Sequence, residues 1–350
     1  MLNPSLEHKK HLVTLLGVGL AFAALVLLDH SGIVDTYIRT ILLQACFTII
    51  VVTSLNLTLG LLGQLALGHA GFMAIGAYTS ALVTKAMVNA IKAGQMAPMP
   101  NILMFAIGLV AGAVMAALFG LLVGIPALRL RGDYLAIITL GFGEIIRVII
   151  QNLPFAGGKG LTSGQAGQAL IGIMKMNDLY IVFWIMVVCV ASMYCFVRSK
   201  FGRAIMSIRE DDIAAASVGI NTTFYKVLTF TLSALFAGVA GAIFAHRGTG
   251  TLQPADFSFM RSTEMVIMVV LGGMSSLTGS IVSALILTAL PELLRSFGDN
   301  RMLVYSVVLV LVMIFRPQGL AGRYEFSLYS LLFERRRKAE SAEPTKGGAK

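Results

Sequence analysis

The chain has 350 residues, 57% of them hydrophobic and only 13% charged, with a mean hydropathy of +0.84. Soluble domains run at about a quarter charged, so the composition argues against a water-soluble fold. Apolar runs of about 20 residues recur along the whole length and mark an all-α, polytopic bundle of transmembrane helices. The net charge of +10 fits basic cytoplasmic loops and calls for no nucleic acid. Cys46, Cys189 and Cys195 all lie in apolar runs and suggest neither a disulfide framework nor a metal site. The 36 glycines suit close helix packing and broken helices.

The segment 1–11, with His8-Lys9-Lys10-His11, reads as a cytoplasmic head before a first span at Leu12–Leu28. A cleaved signal peptide is the alternative, but no small-residue cleavage site follows the run. A second span is expected at about Tyr37–Leu59. The uncharged stretch Gly60–Gly71 then leads into a third apolar segment ending near Lys85. A fourth span, about Asn101–Leu128, ends at Arg129 and Arg131, which crossing parity places inside with the N-terminus. The fifth, about Asp133–Asn152, carries Glu144 and Arg147 and is followed by an external loop with Gly157 and Gly158. Further spans are expected at about Leu179–Val197 and Phe224–Ala245. The run Met265–Leu290 is interrupted at Gly272–Gly279, and a last span covers about Met302–Phe315. Reading the interrupted run as two short spans keeps the basic tail 335–338 inside. The count is then about ten, within a range of eight to eleven, and both ends are cytoplasmic. Residues 12–331 form the transmembrane domain, and the charged tail 332–350 reads as disordered.

The stretch VRSKFGRAIMSIREDDIAAASVGIN (197–221) is the longest charge-dense interval between head and tail. It reads as a short helix whose small residues, Ala214, Ala215 and Ala216, leave a shallow surface for a partner. Gly219 supplies its stop and Asn221 the N-cap of the next helix.

Glycine interruptions at Gly60–Gly71 and Gly272–Gly279 suggest broken helices, and two odd-numbered halves would form an inverted repeat. Simple packing glycines are the equal alternative. Glu144 at a bilayer centre would cost about 3 kcal/mol unless paired or facing a polar cavity. Arg147, three residues on, offers the pair, and lining a translocation path is the other reading. His69 is open to two readings as well: a polar cavity residue, or a side chain bonding carbonyls freed in a broken helix. No phosphate-binding G-x-x-x-x-G-K-[ST], H-E-x-x-H or G-x-S-x-G occurs, so ATP binding, metalloprotease and hydrolase chemistry are unsupported and no cofactor is expected. Few intramembrane carboxylates leave a proton-coupled secondary carrier as the second choice.

The strings LNLTLGLLGQLALGHAGFMAIGAY (55–78) and RLRGDYLAIITLGFGEIIR (129–147) closely resemble the permease subunits of bacterial branched-chain amino-acid ABC importers, specifically the larger of the two. GGKGL (157–161), FGR (201–203), LGGMSSLTG (271–279) and FRPQGL (315–320) extend the resemblance over roughly 55–320. It implies a sister permease, two cytoplasmic ATPases, a periplasmic or extracellular substrate-binding protein, and a place in the bacterial inner membrane. It also implies that 198–221 is the coupling loop of the form E-A-A-x-x-x-G. Phe201, Gly202, Arg203, Arg209, Glu210, Asp211, Asp212, Ala214, Ala215 and Gly219 would then face the ATPase. Ile213 stands at the glutamate position, and Ala156 where similar permeases carry threonine. Gln64, Gly68, His69, Glu144, Gly157, Gly158, Gly272 and Gly273 are the candidate path residues. Related permeases move urea, short amides or other amino acids, so the resemblance leaves the substrate open.

Overall fold

The computed structural model describes residues 35–320 apart from 96, 129, 131, 154–169, 177, 249, 275 and 316–318, together with 19, 22, 23, 26 and 27. The expected head, most of the first span, the loop with Gly157 and Gly158, and the tail lie outside the described residues. Backbone contacts divide the chain into two units, 1–38 with 324–350, and 39–323. In the first unit Gly19, Phe22, Ala23, Val26 and Leu27 are helical. All the sites considered below belong to the second.

Eleven helices follow in chain order among the described residues: α1 (Thr36–Asn56), α2 (His69–Lys92), α3 (Asn101–Ala127), α4 (Asp133–Asn152), α5 (Leu179–Arg198), α6 (Lys200–Glu210), α7 (Asp212–Ser217), α8 (Thr222–His246), α9 (Phe259–Gly272), α10 (Leu277–Leu293) and α11 (Arg301–Phe315). A π-turn, Leu57–Leu61, prolongs α1. The described strands are two residues each, β1 (Leu170–Ile171) and β2 (Thr251–Leu252), paired antiparallel. Among the described residues six helical segments are long and apolar enough to cross a membrane, and Leu277–Leu293 and Leu303–Phe315 are shorter apolar helices. The fold is an all-α polytopic bundle.

Its centre is a three-helix contact of α2, α3 and α8, and the sequence explains why it closes so tightly. Helix α3 carries a small residue at every fourth position, Gly108, Gly112, Ala116, Gly120 and Gly124, which makes one continuous groove. A Cβ on Gly112 would stand 2.6 Å from the Gly76 carbonyl oxygen of α2, and one on Gly238 of α8 would stand 2.5 Å from the Ala116 Cβ. Gly76 itself abuts the Gly238 backbone. Backbones this close gain dispersion contacts along their whole length, which is what drives association where no hydrophobic effect operates between helices. The opposite face of α3 presents Val110, Val114, Leu118, Leu122 and Ile125 outward. A soluble monomer would not leave such a stripe bare, but a bilayer covers it.

Several polar groups inside the bundle are paired across helices. His246, at the end of α8, bonds Thr84 Oγ1 of α2 through Nε2 at 3.0 Å and the Ala242 carbonyl through Nδ1 at 2.8 Å. The Met176 N–H donates to the His246 carbonyl (2.8 Å), and Lys85 Nζ donates to the Ile171 carbonyl (2.9 Å), so the β-ribbon is fastened at this end of α8.

Candidate functional site

The 198–221 stretch folds as two short helices, where the sequence suggested one. Its turns are fixed by side-chain caps. Ser199 Oγ accepts from the Phe201 and Gly202 N–H groups at the start of α6. Asp211 Oδ1 accepts from Ile213 and Ala214 at 2.9 and 3.0 Å at the start of α7. Asn221 Oδ1 accepts from Phe224 at the start of α8. Each cap satisfies N–H groups that a helix leaves orphaned, an effect worth about 1 kcal/mol. Gly219, with φ +88°, ends α7 in the left-handed region as expected. The acidic cluster is divided by role: Glu210 is exposed, Asp211 caps, and Asp212 Oδ2 receives Lys226 Nζ at 2.8 Å.

Burial revises the expected partner surface. Gly202, Ile205 and Ile208 face the bundle, with Gly202 pressed against the Val197 carbonyl. Ala215 is 4% exposed and points inward too, so it cannot belong to the outward surface with Ala214 and Gly219. Ile213 and Val218 are outward apolar residues, 73% and 76% exposed, and Phe201 and Met206 are exposed as well. Arg203 is also exposed.

Arg209 leaves this stretch and enters the bundle. Its Nη1 donates to the Gly60 carbonyl at 2.7 Å, and its aliphatic stem lies along Gly63. Gly60 belongs to the π-turn and Gly63, at φ +72°, to the irregular segment Leu62–Gly68 that separates α1 from α2. The first predicted helix interruption is therefore present, and its backbone is satisfied from outside. The Leu67 N–H donates to Thr139 Oγ1 (3.1 Å) and the Ala70 N–H to Ser262 Oγ (3.0 Å). Irregular backbone survives at membrane depth only with such partners.

The second interruption is present as well. Gly273 (φ +107°) ends α9, and Ser276 caps α10. The two breaks touch. Asn56 Nδ2 donates to the Ser276 carbonyl at 3.1 Å, and Gly60 sits so close to the Met274 carbonyl that a Cβ there has no room. Gly319 lies against Gly273, and the Leu320 N–H donates to the Leu271 carbonyl at 2.7 Å. Gly68 and Gly272 are close-approach positions, against the Thr139 carbonyl of α4 and the Gly279 backbone of α10. His69 is 2% exposed and bonds Ser54 Oγ through Nε2 at 2.8 Å. Neither sequence reading of His69 anticipated a side-chain hydroxyl. The amide oxygen of Gln64 is buried at the same break without a hydrogen-bond partner.

Glu144 is paired. Its Oε2 receives Arg147 Nε at 2.7 Å, and its Oε1 accepts the Phe259 N–H at 2.9 Å, so α4 caps the start of α9. The cap links two helices more than a hundred residues apart, which spacing along one helix could not reveal. Helix α9 thus runs from a charged end to the junction of the breaks, about 21 Å for its 14 residues.

The family described as "Branched-chain amino acid transport system / permease component" matches residues 37–316. The chain belongs to this family. Its relatives include the high-affinity branched-chain amino acid transport system permease protein LivM of Escherichia coli K12 and of Salmonella typhimurium, each 36% identical over 90% of this chain and 75% of the relative. LivH of Escherichia coli K12 is 27% identical over 76% of this chain and 88% of its own. The nucleoside ABC transporter permease NupC of Lactococcus lactis is 26% identical over 55% and 61%. No solved structure matches. For a family permease the arrangement is economical: a rigid capped surface at one end, a junction of two broken helices inside, and one arginine between them.

Proposed function

We propose that this chain is one permease subunit of an ABC importer for branched-chain amino acids in the bacterial inner membrane. It forms the translocation path with a sister permease. Two cytoplasmic ATPases seat on the outward face of α6 and α7, a periplasmic binding protein delivers substrate at the opposite end, and both termini are cytoplasmic. The observation that carries the reading is the 36% identity to LivM across 90% of the chain. The connection of α6 to the broken-helix junction through Arg209 supports it, because a coupling element needs a stiff link to the path. The apolar knobs Ile213 and Val218 replace the acidic contact expected at the start of the coupling motif. Burial of such knobs in a partner cleft is the usual source of interface energy. ATP hydrolysis then takes place in the partner subunits, with Gln64 at the first break and Glu144 at the head of α9 as the proposed path residues.

The test is co-purification from cells expressing the whole transporter, with uptake of labelled L-leucine and uridine into proteoliposomes. Wild type is expected to retain the ATPases and take up leucine. Ile213→Asp is expected to lose the ATPases while the permease pair stays together. ATPases that remain bound to Ile213→Asp would remove this face from the interface, and uptake of uridine but not leucine would replace the substrate.

A further inference from the structure

Beyond the C-terminal end of α8, a helix of 25 residues and so about 37 Å long, the bundle opens into a cavity of about 350 Å³. The 198–221 stretch precedes the other end of the same helix, so cavity and coupling surface lie at opposite ends of the bundle. The volume falls in the range, about 300–1,000 Å³, of small-molecule sites. Phe244, Arg247, Asp256, Met260, Arg261 and Glu264 line it.

Arg247 is the feature that the rest of the fold does not explain. Its guanidinium lies 3.9 Å above the Phe244 ring and 5.9 Å from the centre of the Phe47 ring. Among the described residues it makes no hydrogen bond and no salt bridge. Burial pulls its pKa down, the Asp256 charge opposes that, and Arg261 adds to it. The five N–H donors of the guanidinium form a planar fork at the cavity wall, with the Phe244 ring behind it. The complement of an aromatic-backed fork is an anion with two coplanar oxygens, which is a carboxylate.

Opposite charge stands nearby. The Asp256 carboxylate is exposed and accepts the Gln253 N–H at a long 3.4 Å. Glu264 pairs with Arg261 at 2.9 Å. Phe244 and Met260 supply an apolar wall. Ser258 and Met260–Glu264 sit at the head of α9, whose other end is the junction of the two breaks.

We propose that this cavity is the reception site for a zwitterionic, apolar α-amino acid. Arg247 holds the carboxylate, the Asp256 and Glu264 carboxylates receive the ammonium group, and Phe244 with Met260 face the side chain. Occupancy at the head of α9 places the substrate on a helix whose other end is at the broken junction. The inference rests on the reading of the chain as an amino-acid permease, which puts this end toward the binding protein.

The experiment uses the complete permease–ATPase complex in nanodiscs, without binding protein, the three native cysteines replaced and a single cysteine placed at Ser258 or at Gln44, both of which line the cavity. Alkylation by a charged, impermeant thiol reagent is followed with and without saturating L-leucine. Leucine is expected to slow labelling at both positions at least three-fold. 4-Methylpentanoate, which lacks the ammonium group, and isopentylamine, which lacks the carboxylate, should protect less than half as well. Arg247→Leu should abolish protection by leucine, and Arg247→Lys, which keeps the charge and the packing stem but not the fork, should keep part of it. Equal protection in wild type and Arg247→Leu, or none by leucine in a complex that imports leucine, overturns the site. Failure of the permease reading shows separately, as absence of ATPases or of leucine uptake in wild type.

Discussion

Arg209 donates a 2.7 Å hydrogen bond to the carbonyl of Gly60, across 149 residues of sequence, and thereby ties the end of α6 to the π-turn that closes α1. The bond is charge-assisted and its acceptor belongs to an interrupted helix, where carbonyls lack their usual partners. Gly63, at φ +72°, leaves room for the arginine stem, since a Cβ there would meet its Cγ at 3.0 Å. Any displacement of α6 must therefore pull on Gly60, and Gly60 abuts the Met274 carbonyl of the second break.

Removing this link should uncouple the transporter without dismantling it. Arg209→Ala is expected to retain the ATPases on purification and to lower leucine uptake at least ten-fold, with stimulation of ATP hydrolysis by the binding protein lost. Arg209→Lys should fall between, because an ammonium reaches one acceptor but lacks the fork. Parallel uptake and ATPase assays on the same proteoliposomes decide it. Uptake close to wild type in Arg209→Ala would show that the breaks move independently of α6.

Glu144 does two jobs with two oxygens, pairing with Arg147 and capping α9 at Phe259. The two can be separated. Glu144→Gln keeps an acceptor for the Phe259 N–H and loses the charge, while Glu144→Ala loses both. Thermal unfolding of the purified complex should rank wild type above Glu144→Gln and Glu144→Ala lowest, since a lost helix cap costs about 1 kcal/mol. Adding Arg147→Met to Glu144→Gln should restore part of the loss, because no charge is then left unpaired. It should restore less in the Glu144→Ala background, where the cap is still missing. Strictly additive effects would mean that the ion pair contributes nothing.

Much of this was legible in the sequence because it is local. Apolar length placed most of the described spans to within a few residues, though α2 runs on to Lys92 and α9 starts at Phe259; glycine clusters marked both breaks, and Gly219 and Asn221 marked the boundary between α7 and α8. The Glu144–Arg147 pair follows from helical spacing alone. What escaped depends on contacts between distant segments or on which way a residue faces. Ala215 belongs to a coupling motif by pattern, yet it is the buried residue of α7, while Ile213 and, just past the helix, Val218 are exposed. His69 finds Ser54 across the break, and Arg209 finds Gly60, neither of which spacing can supply. The packed face of α3 is different, because its signal is local: small residues four apart, at Gly108, Gly112, Ala116, Gly120 and Gly124, fall on one side of any helix.

That packed face gives the sharpest contrast between glycines that are required and glycines that are not. Gly76 of α2 has the Gly238 backbone on its Cα side, and Gly112 approaches the Gly76 carbonyl, so a methyl group at position 76 has nowhere to go. Two helices would have to separate to admit it, and every contact along the α2–α3–α8 groove would lengthen with them. Overpacking of this kind costs about 1–3 kcal/mol. Gly141 of α4 has nothing within 4 Å of where its Cβ would stand, and its backbone is ordinary helix. There the exchange for alanine should be neutral or gain up to about 1 kcal/mol from helix propensity. Gly76→Ala is accordingly expected to lower the melting temperature of the purified permease pair and the amount recovered from membranes, while Gly141→Ala leaves both unchanged or raised. Equal behaviour of the two variants would mean that the α2–α3–α8 contact is looser than its glycines indicate, and that the bundle is held chiefly by other helices.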